Sequence, residues 1–129
     1  MTNIDANKFA FDSFVTAFAP GNDDMLDRYF SSDLLLLNHS VSKQFDLNDL
    51  KSRLPNIQKK YKDLKSEIKD VIVENDRIAF HVKQKAFYVP DNKHVILDVM
   101  NLYKLSNGKV KEWQIWFTQN ADEASLNAS

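Results

Sequence analysis

The stretch Ser106 to Phe117, SNGKVKEWQIWF, decides the fold. Its Asn107-Gly108 pair is the strongest tight-turn signal in the chain, because a two-residue hairpin loop needs positive φ at both central positions. The turn predicts two antiparallel strands meeting at residues 107–108. Beyond it, Trp113, Ile115, Trp116 and Phe117 place large apolar groups at both odd and even positions. Side chains in a strand alternate between faces. On strict alternation, Val110, Glu112, Gln114, Trp116 and Thr118 share one face, and Lys111, Trp113, Ile115 and Phe117 share the other. Both faces then carry apolar surface, so each needs a dry neighbour.

The preceding strand runs from about His94 to Leu105 and is entered through the turn Pro90 to Lys93. Before that, Ile78, Phe80, Val82, Gln84 and Ala86 alternate with Ala79, His81, Lys83 and Lys85, the pattern of a half-buried strand. Asn75-Asp76 predicts a hairpin to another strand at about Lys65 to Glu74. Upstream the period changes to that of helices. Leu47, Leu50, Leu54, Ile57 and Tyr61 form one stripe behind an Asp46/Asp49 start, with Pro55 expected to kink or split the helix. Asp33 to His39 predicts a short buried strand. Phe9, Phe11, Phe14, Val15 and Phe18 recur at helical spacing up to a stop at Ala19 to Asn22, and Asp23 is placed to cap a short second helix. Two helices, a strand, a long helix and four antiparallel strands make an α+β domain, covering residues 9–120, with 121–129 expected to fray.

Composition narrows the function. A chain of 129 residues, 43% hydrophobic and 12% aromatic, is globular and long enough to bury roughly two thirds of its unfolded surface. A net charge of -1 with scattered lysines gives no basic stripe for nucleic acid. With no cysteine there is no disulfide, thiolate nucleophile or cysteine-ligated metal. The early Asp5 and the lack of an apolar run lead us to expect no signal peptide and no membrane span, hence a cytoplasmic protein. The three histidines show no metal-ligand spacing, and no Walker loop, Rossmann glycine pattern or nucleophile elbow occurs. No metal or cofactor is expected.

Several strings in order, DDMLDRYFSSDLLL (residues 23–36), YKDLKSEIKDVIVENDRIAFHV (61–82) and LYKLSNGKVKEWQIWF (102–117), resemble the nuclear transport factor 2-like superfamily, and its SnoaL-like polyketide cyclase branch most closely. The resemblance implies a cone, also called a cystatin-like roll: a curved antiparallel sheet wrapped around helices, with an interior pocket and a homodimer formed through the sheet's outer face. It places Gln114, Trp116 and Thr118 toward the pocket and Trp113, Ile115 and Phe117 toward the partner.

The ketosteroid isomerases of this fold use an aspartate base with a tyrosine and a protonated aspartate as oxyanion donors. The matching positions here are Asn38, Phe14 and Asn101. Phenylalanine cannot donate a hydrogen bond, and asparagine cannot take a proton at neutral pH. Thr118 stands where the cyclase and limonene epoxide hydrolase relatives carry a late catalytic aspartate, and a hydroxyl is a poor general base. His39, next to Asn38, is the one remaining catalytic candidate. The expected site is therefore a pocket for a small apolar or aromatic molecule. Phe14, Phe18, Phe80 and Trp116 supply its walls, and Asn38, Gln84, Asn101, Gln114 and Thr118 supply polar contacts. A cyclase, isomerase or dehydratase using His39, and a protein-interaction module, are the alternatives.

Overall fold

In the computed structural model, the structure describes residues 3–18 and 23–122. Two helices, α1 (Asn3–Phe18) and α2 (Asp23–Tyr29), lead into β1 (Phe30–Asn38) and a short β2 (Lys43–Phe45). Helix α3 (Leu47–Lys60) follows, then β3 (Tyr61–Glu74), β4 (Arg77–Tyr88), β5 (Lys93–Ser106) and β6 (Lys109–Ala121). The six strands form one sheet in the order β2-β1-β6-β5-β4-β3. β1 runs parallel to β6, and every other neighbouring pair is antiparallel. The α+β expectation holds, with the sheet curved around the helices.

Local chemistry accounts for most element ends. Asp46 caps α3 by accepting from the Asp49 amide at 2.8 Å, and the Asp49 carboxylate accepts from the Asp46 amide at 3.0 Å, a reciprocal capping box. Asn107 (φ 53°) and Gly108 (φ 78°) both lie in the left-handed region, as the β5–β6 turn requires. Asn75 does the same at the β3–β4 turn with φ 55°. Pro55 neither splits nor ends α3, which runs through it as one helix. It stands exposed, so the Lys51 carbonyl that it leaves without an amide partner is on the solvent side. β3 begins at Tyr61, earlier than the alternation from Lys65 suggested, and β2 was not expected at all. The Ala19–Asn22 stop, the Asp23 side chain, the Leu54 side chain and residues 123–129 lie outside the described residues. The chain is held as far as Asp122, whose amide donates to the His94 carbonyl at 2.9 Å.

The buried face of α1 consists of Ala6, Ala10, Ser13, Phe14 and Ala17, while Phe11 faces outward at 40% exposure. The aromatic stripe of the sequence thus misplaces the contact face by part of a turn, since alanines let the helix approach the sheet closely. Under it lies an aromatic core of Phe14, Phe30, Phe80, Tyr103 and Trp113, each at most 1% exposed. Trp113 stacks on Phe30 with centroids 5.4 Å apart, and Tyr103 meets Phe80 edge-on at 4.8 Å. The Tyr103 hydroxyl hydrogen-bonds the Ser13 hydroxyl at 3.0 Å, and burial pushes its pKa up, keeping it neutral.

The departure from strict alternation that bears on the expected site is in β6, although β1 and β3 also carry register shifts. Leu105 pairs with Val110 but Lys104 pairs with Glu112, so Lys111 is an extra residue in a bulge. The inserted residue reverses the parity of everything beyond it. Trp113 (1% exposed) and Ile115 (7%) point inward with Val110, and Trp116 (41%) points out.

Candidate functional site

Between the inner face of the sheet and α3 lies a cavity of about 210 Å³. Its walls are mostly apolar: Phe18, Leu36, Leu50, Leu97, Val99, Trp113, Ile115 and Phe117, with Phe45 and Arg53 at one side. Arg53 is exposed, so that side is the mouth. A cavity of about 150 Å³ suffices for benzene, so this space suits a body of one or two rings.

Two amides give the wall its polarity. Asn38 ends β1, and its Oδ1 accepts from the Ser40 amide at 3.1 Å, which leaves Nδ2 as a donor without a partner among the described residues. Gln84 is 3% exposed and its Nε2 donates to the Ser66 hydroxyl at 3.1 Å. No buried side-chain nitrogen or oxygen among the described residues lacks a partner. The Gln84 Oε1, which receives no donor among the described residues, is therefore not sealed from solvent, and Gln84 lines the cavity. The ionisable groups on the wall are Arg53 and Tyr61. Tyr61 donates to the Gln119 side-chain oxygen; burial, and next the neighbouring Tyr88, raise its pKa, so it stays a neutral donor at physiological pH. No carboxylate or imidazole stands among the described lining residues.

Of the residues singled out by sequence, Phe18, Asn38 and Gln84 line this cavity. Phe14 and Phe80 are core residues behind the wall, packed against each other at 6.1 Å. Asn101 is buried beside them: its Oδ1 accepts from Trp113 Nε1 at 2.9 Å and its Nδ2 donates to the Phe80 and Val99 carbonyls, so it is spent on the core. Gln114, Trp116 and Thr118 stand on the outer face, and Trp113, Ile115 and Phe117, expected there, are inside. The bulge at Lys111 is the physical reason for both corrections.

His39 is corrected as well. It follows Asn38 on the strand and so points the other way, to the outer face. There it stacks on Trp116 with ring centroids 4.6 Å apart and its Nε2 meets the Gln114 side-chain oxygen at 2.9 Å. His81 and Asp98, both on the outer face, pair at 2.8 Å. Phe45 was missed because a three-residue strand shows no readable period, and Arg53 because its place at the mouth depends on its contact with Phe45. The described residues contain no group of His, Asp or Glu able to hold a metal, and no helix among them is long and apolar enough to cross a membrane.

A second space of about 520 Å³ lies between α1, α3 and β3, sharing Phe18, Ile57 and Tyr61 with the cavity. It is an open groove, with the exposed Lys62 and Asp63 on its rim.

Solved structures share this architecture. A candidate SnoaL-like polyketide cyclase from Jannaschia sp. CCS1 superposes with a TM-score of 0.73 at 16% identity, over 98% of this chain and 89% of that one. An LEH-like epoxide hydrolase of M. tuberculosis gives 0.68 at 15% identity, over 89% and 84%. A Catenulispora acidiphila protein with a ketosteroid isomerase-like fold, solved with trimethylamine, gives 0.70 at 9%, over 81% and 82%. At these identities the likeness establishes the fold alone. A search of curated protein sequences finds no match. The profile of the SnoaL-like domain family, however, matches residues 11–113, most of the chain and every strand that builds the cavity except β6 beyond Trp113. The chain therefore belongs to the SnoaL-like domain family.

Proposed function

We propose that the protein binds a small aromatic or apolar molecule bearing a hydrogen-bonding group in the 210 Å³ cavity, and that it holds this molecule without proton transfer from its own side chains. The observation that carries the reading is the presence of an unpartnered donor, Asn38 Nδ2, and an open acceptor, Gln84 Oε1, on a mostly apolar wall. Such a site orients a neutral polar group through the amides and gains affinity from apolar burial. General acid–base work needs a group titrating near the working pH, and neither Arg53 nor neutral Tyr61 offers one. The neighbours named as a polyketide cyclase and an epoxide hydrolase make an enzyme the natural rival. In this chain that rival loses His39 and Thr118 to the outer face. The test is titration with 2-naphthamide, read by Trp113 fluorescence in a Trp116→Phe background. We expect saturation at micromolar concentrations. No response up to on the order of 1 mM, where binding is worth only about 4 kcal/mol, would sink the proposal.

A second reading concerns assembly. Trp116 and Met100 are cross-strand partners, 41% and 49% exposed, and Ile72 at 68% lies on the same outer face. Apolar side chains grouped on a sheet face mark an interface, and we propose that a second copy of the chain covers this one. Trp116→Glu with Met100→Glu is expected to give monomer in sedimentation equilibrium. A wild-type monomer at micromolar concentration overturns the dimer.

A further inference from the structure

We propose that Arg53 is an anion anchor at the cavity mouth, and that the occupant is a monocarboxylic acid whose apolar body lies inside. This deepens the binding reading above and rests on it. The guanidinium of Arg53 sits over the Phe45 ring, 4.2 Å from its centroid, and both residues line the cavity. The stacking holds the charge in place beforehand, so less side-chain freedom is lost when an anion arrives.

The charge has no counter-ion among the described residues. The ion pairs among the described residues are Lys8–Asp12, Lys51–Asp27, Lys69–Glu67 and His81–Asp98, and Arg53 belongs to none. The obvious partner is Asp49, one turn back at the i−4 position, where an ion pair would form readily. Its carboxylate is instead committed to the Asp46 amide in the capping box, and the Asp46 side chain accepts from the Asp49 amide in return. A second cation stands near. Lys43 shares its face of β2 with Phe45, and it pairs across the strands with Asn38, which lines the cavity.

The cavity thus joins one charged group, Arg53 at the mouth, to the Asn38 and Gln84 amides on a mostly apolar wall that includes Trp113 and Ile115. A single guanidinium fork matches a carboxylate's two oxygens and its one charge. The amides inside are left for a hydroxyl or carbonyl on the body of the ligand.

The experiment compares 2-naphthoate with 2-naphthamide, which have the same ring system and differ in charge. Wild-type protein is expected to bind naphthoate roughly tenfold more tightly, the scale of a partly solvated charge-assisted hydrogen bond. Arg53→Gln should abolish that preference, read as the ratio of the two affinities within the variant, and Arg53→Met, which keeps an apolar stem over Phe45, should do likewise. Arg53→Lys should retain part of the preference, having the charge without the fork. Equal binding of the two probes by wild type overturns the anchor, as does a preference that survives both Arg53 replacements. If neither probe binds wild type, the cavity reading itself falls and takes the anchor with it.

Discussion

Trp113→Ala is expected to lower the free energy of unfolding by about 3–5 kcal/mol, a large share of the stability of a domain this size. The indole is 1% exposed and meets Phe14, Phe18, Phe30 and Tyr103 in ring contacts between 5.4 and 6.5 Å. Its removal opens a hole at the centre of the core. It also leaves the Asn101 Oδ1, buried at 2% exposure, without its donor. Trp113→Phe isolates the second effect: most of the ring stays and the 2.9 Å hydrogen bond goes, at a cost of about 1–3 kcal/mol. Adding Asn101→Leu to Trp113→Phe removes the orphaned acceptor too, so the double variant should be more stable than the two single effects added together. Trp116→Ala is the control. That ring lies on the outer face, 41% exposed, and its loss should cost well under about 1 kcal/mol when measured at a protein concentration low enough for the proposed dimer to dissociate. Urea midpoints followed by circular dichroism read these four and Asn101→Leu alone. If Trp113→Ala and Trp116→Ala shift the midpoint equally, the parity assigned to β6 is wrong.

That parity marks the boundary of what was legible. Hairpins, the capping box and the order of elements rest on local chemistry: Asn107-Gly108, Asp46 with Asp49, and the alternation of β4. Each acts within a few residues, so the sequence shows it directly. The face of β6 is a register property, and one inserted residue sends every later side chain to the other face. Hydrophobic patterning normally reveals such a shift because one face is polar. Here both faces carry a tryptophan, so strict alternation and a bulge at Lys111 fit the residues equally well. The family resemblance supplied the cavity but inherited the wrong parity. Gln84 was legible because it lies on a strand whose alternation is unbroken, and Asn38 because the family resemblance marked its position. His39 was misjudged for a simpler reason, its adjacency to Asn38, when neighbours on a strand point apart. Arg53 was invisible as a site residue, since its meaning depends on Phe45, Asp46 and Asp49 meeting at one end of α3.

Leu97→Trp is expected to weaken ligand binding severely while leaving the fold intact. Leu97 lies on β5 between Gln84 of β4 and Gln119 of β6, 7% exposed and on the cavity wall. Enlarging a residue in a packed core forces strain of about 1–3 kcal/mol. At this position the added ring has the 210 Å³ cavity to enter, so the urea midpoint should hold or rise. The ligand then has nowhere to put its rings. Excluding about 100 Å² of apolar burial forfeits about 2.5 kcal/mol, which weakens 2-naphthamide roughly 50-fold or more. His39→Ala, on the opposite face of the sheet, should leave the same affinity unchanged, and any wild-type turnover on enolisable ketones or epoxides should survive it. Binding that persists in Leu97→Trp would move the site out of the cone and into the groove of about 520 Å³ between α1, α3 and β3. In that event Val15→Trp, which fills the groove and leaves the cavity open, would be the variant that blocks the probe. The two tryptophan insertions therefore separate the two spaces that share Phe18, Ile57 and Tyr61, because each obstructs a side of that shared wall the other does not reach.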